Sequence, residues 1–348
     1  MGNELLIRKV DMNKLLKKPL DRQTNKPPAP SLTESLHAQK ISTKNRKVIQ
    51  SIAFFLILIV GLQILSRICL SIAASHYGEG LEISHRTRAA RVLDAERPNS
   101  IDVIAIGNSV CMNTVVPQQI WDATGISSAV ASQPGMTLME SYRAFQQAVT
   151  TQSPKVILFE TDVLYYGGNL SGIKSITLDQ VHRLFPVFLY HSIWRQMAKK
   201  SPEDPIGSHG FLPTIGVSPY IGPPRDMTPT AAGEDFSLTY KFVLDQITKE
   251  CKERDIKLVL YSTPNAMNFS GGRHTSLQQY ADAHGISYID FNQPEANCPI
   301  DWNQDTIDGG EHLNPTGAAK LTAALLPYLT QMNLPDHRQD SSYQSWNQ

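Results

Sequence analysis

Neither sign of charge is in excess: 32 Lys and Arg residues stand against 32 Asp and Glu residues in a chain of 348, a formal net charge of zero at pH 7. A chain without a basic surplus lacks the electrostatic footprint for a phosphate backbone, so nucleic acid is not an expected partner. Cysteine is also scarce. Its four positions (Cys69, Cys111, Cys251 and Cys298) show no metal-like spacing, which argues against a disulfide framework and leaves only Cys251 and Cys298 open as a pair. No glycine-rich phosphate loop, metal-ligand cluster or internal repeat is present, so no cofactor and no metal are expected.

Where charge does concentrate, it precedes an apolar run. Residues 1–47 hold eleven Lys and Arg residues against four Asp and Glu residues, and the stretch 48–65 then has no charge at all. Through Ala74 the only addition is Arg67, which can snorkel toward an interface. About 20 apolar residues suffice to cross a bilayer, and the basic flank predicts a cytoplasmic amino terminus with the remainder outside. A cleaved signal peptide is the alternative, since Ser71-Ile72-Ala73 loosely resembles a cleavage site, but the preceding region is long for one. The expected order is a disordered basic cytoplasmic arm at 1–47, a transmembrane anchor at 48–74 and a juxtamembrane stalk at 75–100. A domain at 101–330 and a polar tail at 331–348 complete it.

From residue 101 short apolar runs alternate with helical periodicity, the pattern of a parallel α/β sheet. Candidate strands are 101–107, 126–131, 155–161, 257–263 and 287–291. Pro117 suits the start of a helix over 117–124, and Asn314-Pro315 suits the start of a last helix running to about Leu329. Five strands with crossover helices predict a three-layer α/β/α domain. An excursion at 165–235, with a helix expected over His182 to Lys200, reads as a lid or substrate wall.

Two segments carry chemistry. Ile104-Ala105-Ile106-Gly107-Asn108-Ser109 is an apolar strand running into a Gly-x-Ser turn, which sets a hydroxyl at the carboxyl edge of a sheet. Asp308-Gly309-Gly310-Glu311-His312-Leu313-Asn314-Pro315 supplies an acid and a histidine just before a helix. A serine needs a base to become a useful nucleophile and the base needs an orienting group, so each segment supplies what the other lacks. Cys111, two residues past the serine, is expected to pack rather than react.

These residues resemble the SGNH or GDSL-like hydrolase superfamily over about residues 100–330. Within it they are most similar to the membrane-anchored group that includes the D-alanyl transfer protein of teichoic acid modification and polysaccharide O-acetylation proteins. The resemblance implies a flavodoxin-like SGNH fold with a five-stranded parallel sheet, Ser109 as nucleophile, and the backbone N–H groups of Ser109 and Gly135 as an oxyanion hole. It also implies His312 as base with an acid beside it. Family members usually hold that acid three residues before the histidine, where this chain has Gly309; Asp308, Asp305 and Glu311 are the candidates, with Asp308 preferred. The family's third block usually supplies an asparagine after the third strand, where this chain has Glu160-Thr161-Asp162, and Asn265 after the fourth strand is a poor substitute.

The function implied is a serine acyl-ester hydrolase or O-acyltransferase working outside the cytoplasm on a cell-surface polysaccharide or wall polymer. A multi-pass membrane O-acyltransferase is the expected partner of the transferase version. Asn108, His191, Arg195 and Trp302 are the candidate substrate contacts. The rival is a catalytically inactive binding or assembly module that keeps the fold.

Overall fold

Five short runs pair into one sheet: β1 (Val103–Gly107), β2 (Ser128–Ser132), β3 (Val156–Glu160), β4 (Lys257–Ser262) and β5 (Ser287–Asp290). All neighbours are parallel and the order is β2-β1-β3-β4-β5. Each strand lies within two residues of its expected position. The computed structural model describes residues 32–77, 88–165, 168–190, 207–223 and 226–347. Residues up to Val60 form one unit and Gly61–Gln348 another.

Strands β1, β2 and β3 are buried at every position, as a parallel sheet covered on both faces requires. Alternation of side chains sorts them into two cores. Ile104, Ile106, Ile157 and Phe159 point to one face, where α5 (Leu138–Thr151), α8 (Leu238–Glu253) and α9 (Gly271–His284) cover them. Val103, Ala105, Val156 and Leu158 point to the other, under α4 (Pro117–Thr124) and α10 (Pro315–Thr330). The expected three-layer α/β/α arrangement is therefore present.

Local signals account for the helix starts. Thr137 and Glu140 form a reciprocal capping box on α5, and the side chains of Ser237 and Ser270 cap α8 and α9. Pro117 and Pro315 occupy first-turn positions where a missing N–H costs nothing. Gly125 ends α4 at φ 72°, beside the Asp336 carboxylate, where a Cβ would collide.

Three expectations are corrected at the ends of the chain. Helix α1 runs from Leu32 to Tyr77, so residues 32–47 are helical rather than part of a disordered arm; residues 1–31 lie outside the described residues. Leu, Ala, Gln and Lys favour continuing a helix that the apolar segment has already nucleated. Within α1, Asn45–Ile72 is long and apolar enough to cross a membrane.

The expected stalk contains α2 (Arg88–Ala95), whose Ala89, Val92 and Leu93 enter the first core. Its apolar stripe is masked in the sequence by Arg88, Arg91 and Arg97. Even Arg88 is buried, with its guanidinium donating to the carbonyls of Ser132 and Gly210 at 2.8 Å each. The expected polar tail is likewise part of the domain. Tyr343 and Trp346 are buried against Trp121 at ring separations of 6.0 and 5.1 Å, and His337 bonds Asp102 at 2.7 Å while stacking on Tyr343.

The helix expected over His182 to Lys200 differs as well. α6 (Gly168–Leu184) ends with His182 and Arg183 in its last turn, and α7 (Val187–Tyr190) follows the break at Pro186. Proline lacks an N–H and pushes the preceding Phe185 away from helical dihedrals. His191, Trp194 and Arg195 lie outside the described residues.

Candidate active site

In the order β2-β1-β3 the connections leave β1 and β3 in opposite directions, which opens a crevice at their carboxyl ends. The first chemical segment arrives there. Gly107 ends β1 against Glu160 of β3 and the turn carrying Cys111; a Cβ on it would sit 2.6 Å from the Glu160 Cβ and 2.7 Å from the Cys111 Cβ. Glycine is therefore required by close approach. Asn108 then turns the chain: its Oδ1 accepts from the Val110 N–H at 2.9 Å and caps α3 (Ser109–Met112), and its Nδ2 donates to Asp162 Oδ2 at 2.7 Å. Asn108 is 4% exposed with its amide held at both ends, so it positions the turn and does not reach for substrate. Ser109, half-buried, is the first residue of α3.

The second segment follows β5. Asn314 caps α10 through Oδ1, which accepts from the N–H groups of Thr316 and Gly317 at 3.1 Å each. Just before it, the Ile307 N–H donates to the His312 carbonyl at 3.1 Å, closing a loop whose tip is Gly309 (φ 85°) and Gly310 (φ 111°). Both glycines occupy dihedrals that other residues rarely adopt.

The two segments meet. Ser109 Oγ lies 2.8 Å from His312 Nε2, and His312 Nδ1 lies 2.5 Å from Asp308 Oδ2. Asp308 Oδ1 accepts from the backbone N–H groups of His312 at 2.9 Å and Glu311 at 3.2 Å. Partial burial alone pushes the Asp308 carboxyl upward, but the hydrogen bonds from His312 outweigh it and hold the group below its ordinary range. An ionised carboxylate only accepts, so Nδ1 of a neutral His312 carries the proton and Nε2 is left to accept from the Ser109 hydroxyl. The arrangement suits proton removal from the serine oxygen.

Of the three candidate acids, Asp308 is the one that touches the imidazole. Asp305 is fully buried, pairs with Lys320 Nζ at 2.6 Å and accepts from the Asp301 N–H at 2.7 Å. Glu311 accepts from Asn268 Nδ2 at 3.1 Å. Asp308, Glu311 and His312 could each offer one atom to a cation within 4.8 Å of the others, but both nitrogens of His312 are already engaged with Asp308 and Ser109.

Gly135 sits at φ 64° in the exposed turn after β2, and β2 ends with Ser132 paired beside Gly107. Neither its N–H nor that of Ser109 makes a hydrogen bond within the described residues. Asn265 spends its Oδ1 on the N–H groups of Met267 and Asn268, at 2.9 and 2.7 Å, fastening its own loop. At the end of β3, Glu160 is buried and accepts from the Asp162 N–H at 2.9 Å. Burial above all, with the Asp162 charge adding to it, raises its pKa well above the ordinary value. Cys111 is fully buried, which pushes its thiol up to about 12 and leaves it unreactive.

What joins the two segments has no motif in the sequence. Residues 212–220 of the excursion cross from one to the other. Asn113 Nδ2 donates to the Leu212 carbonyl and Thr214 Oγ1 at 2.9 Å each, tying the strap to the serine turn. Asn314 Nδ2 donates to the Gly216 carbonyl at 3.0 Å, the Ser218 N–H to the Thr306 carbonyl at 2.8 Å, and the Gly309 N–H to the Ser218 carbonyl at 3.0 Å. Trp302 accepts the Tyr220 N–H at 3.0 Å through its carbonyl. Its side chain lines a cavity of about 280 Å³ with Tyr220, Ala266, Phe291 and Ile300. That cavity adjoins the acid and histidine loop, since the Ala266 N–H donates to the Gly310 carbonyl at 2.8 Å.

No protein-family model matches the chain, and no curated protein matches it. Among solved structures it is similar to a GDSL-like lipase from Bacteroides thetaiotaomicron, with 12% identity over 72% of this chain and 100% of the other and a TM-score of 0.38. A lipase/acylhydrolase from Enterococcus faecalis matches with 10% identity over 67% and 96% and a TM-score of 0.38. A catalytic mutant of an acetylxylan esterase from Geobacillus stearothermophilus matches with 14% identity over 68% and 96% and a TM-score of 0.33. Likenesses at this level assign no activity to the chain.

Proposed function

We propose that this chain is an SGNH-type serine acyl-ester hydrolase or O-acyltransferase, anchored by the helix Asn45–Ile72 with its domain outside the cytoplasm, acting on a cell-envelope glycan or wall polymer. The observation that carries the chemistry is the line from Ser109 Oγ through His312 to Asp308, at 2.8 and 2.5 Å. As Oγ attacks an ester carbonyl, its proton passes to His312 Nε2 and the carbonyl π electrons move onto oxygen. The backbone N–H groups of Ser109 and Gly135 face that oxyanion, a contribution of about 3–4 kcal/mol per donor in measured cases. Collapse expels the leaving oxygen, which takes the proton back from His312, and an acyl-serine remains. Water or a sugar hydroxyl, deprotonated by His312, then takes the acyl group. The apolar span and its basic flank support the anchored, outward topology. The polymer substrate and a multi-pass membrane O-acyltransferase as partner rest on the family resemblance.

A second reading, a non-catalytic binding module, draws on one observation. Asp162 bonds Asn108 and Asn265 Oδ1 is turned into its own loop, so neither supports an oxyanion. The test is hydrolysis of a small activated acetyl ester by the full chain in detergent, with labelling by a serine-directed fluorophosphonate. Turnover and labelling that both vanish in Ser109→Ala support the acyl-serine; a folded wild type showing neither removes it.

A further inference from the structure

The span helix carries two polar residues three apart, Gln63 and Ser66, which share one face of α1. Both are bonded to the elbow between α6 and α7. Gln63 Nε2 donates to the carbonyl of Leu184, the last residue of α6, at 2.7 Å, and Ser66 Oγ accepts the N–H of Val187, the first residue of α7, at 3.2 Å. The carbonyls that end a helix and the N–H groups that begin one have no partner inside their own helix. The break at Pro186 creates one of each, and the two polar side chains of the span meet them. Ser66 is 1% exposed as a result.

Depth follows from helix geometry. Ser66 lies six residues before Ile72, the end of the apolar span, which at 1.5 Å per residue is about 9 Å inside it. The span of 28 residues is about 42 Å long against a hydrocarbon core of about 30 Å, so about 6 Å overhangs at each end and the elbow between α6 and α7 lies just inside the edge of the hydrocarbon. Its outward side chains suit that place: Leu184 is 59% exposed and Phe188 46%. Arg67, the one charge between Val48 and Ile72, stands next to Ser66 where a guanidinium can reach headgroup phosphates.

We infer that the α6–α7 elbow is seated in the lipid interface against α1, so that the excursion after β3 is a second membrane contact of the domain. The occupant of its apolar face is lipid. This rests on the reading of α1 as a membrane anchor, and the experiment separates the two.

The full chain, with Cys69 and Cys298 replaced by serine, would be placed in phosphatidylcholine–phosphatidylglycerol nanodiscs containing nitroxide lipid. An environment-sensitive fluorophore would be attached in turn at Leu184→Cys, Phe188→Cys, Ile57→Cys in the span and Lys249→Cys on α8. Probes at 184 and 188 should lose most of their emission to the nitroxide, as the probe at 57 does, while the probe at 249 stays bright. Bright probes at 184 and 188 beside a quenched probe at 57 overturn the inference and leave the anchor standing. A bright probe at 57 overturns the anchor and the inference with it. The Ser66→Cys, Val187→Cys pair adds a proximity readout. Ready cross-linking with bright probes at 184 and 188 would mean that protein rather than lipid covers the elbow, and also overturns the proposal.

Discussion

Replacing Asp308 with asparagine separates the orienting role of this acid from its structural one. The amide oxygen can still accept the backbone N–H groups of His312 and Glu311, now at 2.9 and 3.2 Å, so the loop keeps its shape. What is lost is the charged acceptor 2.5 Å from His312 Nδ1, and the amide Nδ2 that takes its place is a donor, so the ring proton moves to Nε2 and the base that accepts from Ser109 is lost with the support for the imidazolium. Hydrogen bonds to charged groups are worth about 1.5–3 kcal/mol. Asp308 is 36% exposed, and water screens part of that, so the lower half of the range applies. A loss of about 1.5–2 kcal/mol from the charge alone is roughly a 10- to 30-fold fall in kcat, and the reversed tautomer deepens it toward about 10^4-fold, with KM little changed. The assay is the same activated ester, comparing Asp308→Asn with Asp305→Asn and Glu311→Gln. Glu311→Gln should stay close to wild type. Asp305→Asn, which leaves Lys320 without its anion, should lower the melting temperature more than it lowers kcat of the folded fraction. An Asp308→Asn enzyme within twofold of wild type would refute the assignment of this acid.

Two further outcomes test the fold around the site. Glu160 has a raised pKa in the folded chain, so it contributes most below its unfolded value near 4.5, and stability falls as the pH rises toward the folded value. Glu160→Gln keeps an acceptor for the Asp162 N–H and removes that dependence, so its melting temperature should exceed that of wild type at pH 8 and the gap should close by pH 4. Trp346→Ala empties a site that is 3% exposed between Trp121 and His209, and should cost about 3 kcal/mol in denaturant unfolding, the low end for a buried aromatic. A change below 0.5 kcal/mol would return residues 331–348 to the role of a loose tail.

Much of this architecture was legible because periodicity reports burial. β1, β3 and β4 are nearly unbroken apolar runs and could be placed on that ground, β2 and β5 are short runs between polar segments, and Asn314-Pro315 announced α10 through capping chemistry alone. The corrected segments share a different cause. In α2 the burial of Arg88 depends on carbonyls of Ser132 and Gly210, 44 and 122 residues away, which no local pattern contains. Trp346 is buried by Trp121 and His209 in the same non-local way. The strap over 212–220 is held by backbone groups and two asparagines, Asn113 and Asn314, and backbone bonding leaves no compositional trace. Proline and glycine mark it as irregular; they do not say where it goes.

The spacing of the acid shows how such a departure from a family pattern can be resolved by backbone geometry. An acid four residues before a histidine would face it on a helix, but here the intervening chain is a loop, and Asp308 must be folded back onto the ring. Gly309 and Gly310 at φ 85° and 111° make that reversal, and the Gly310 N–H donates to Thr306 Oγ1 at 2.8 Å to hold it. Gly310 also has no room for a side chain, since a Cβ would come within 2.8 Å of the Ala266 Cβ. The glycine at the position where an acid three before the histidine would stand is thus part of the device that brings the acid at four into contact. With the loop sealed from outside by Ser218, the strap, the glycines and Asp308 act as one unit. A substitution at Gly310 should therefore impair the site by displacing Asp308, leaving Ser109 in place.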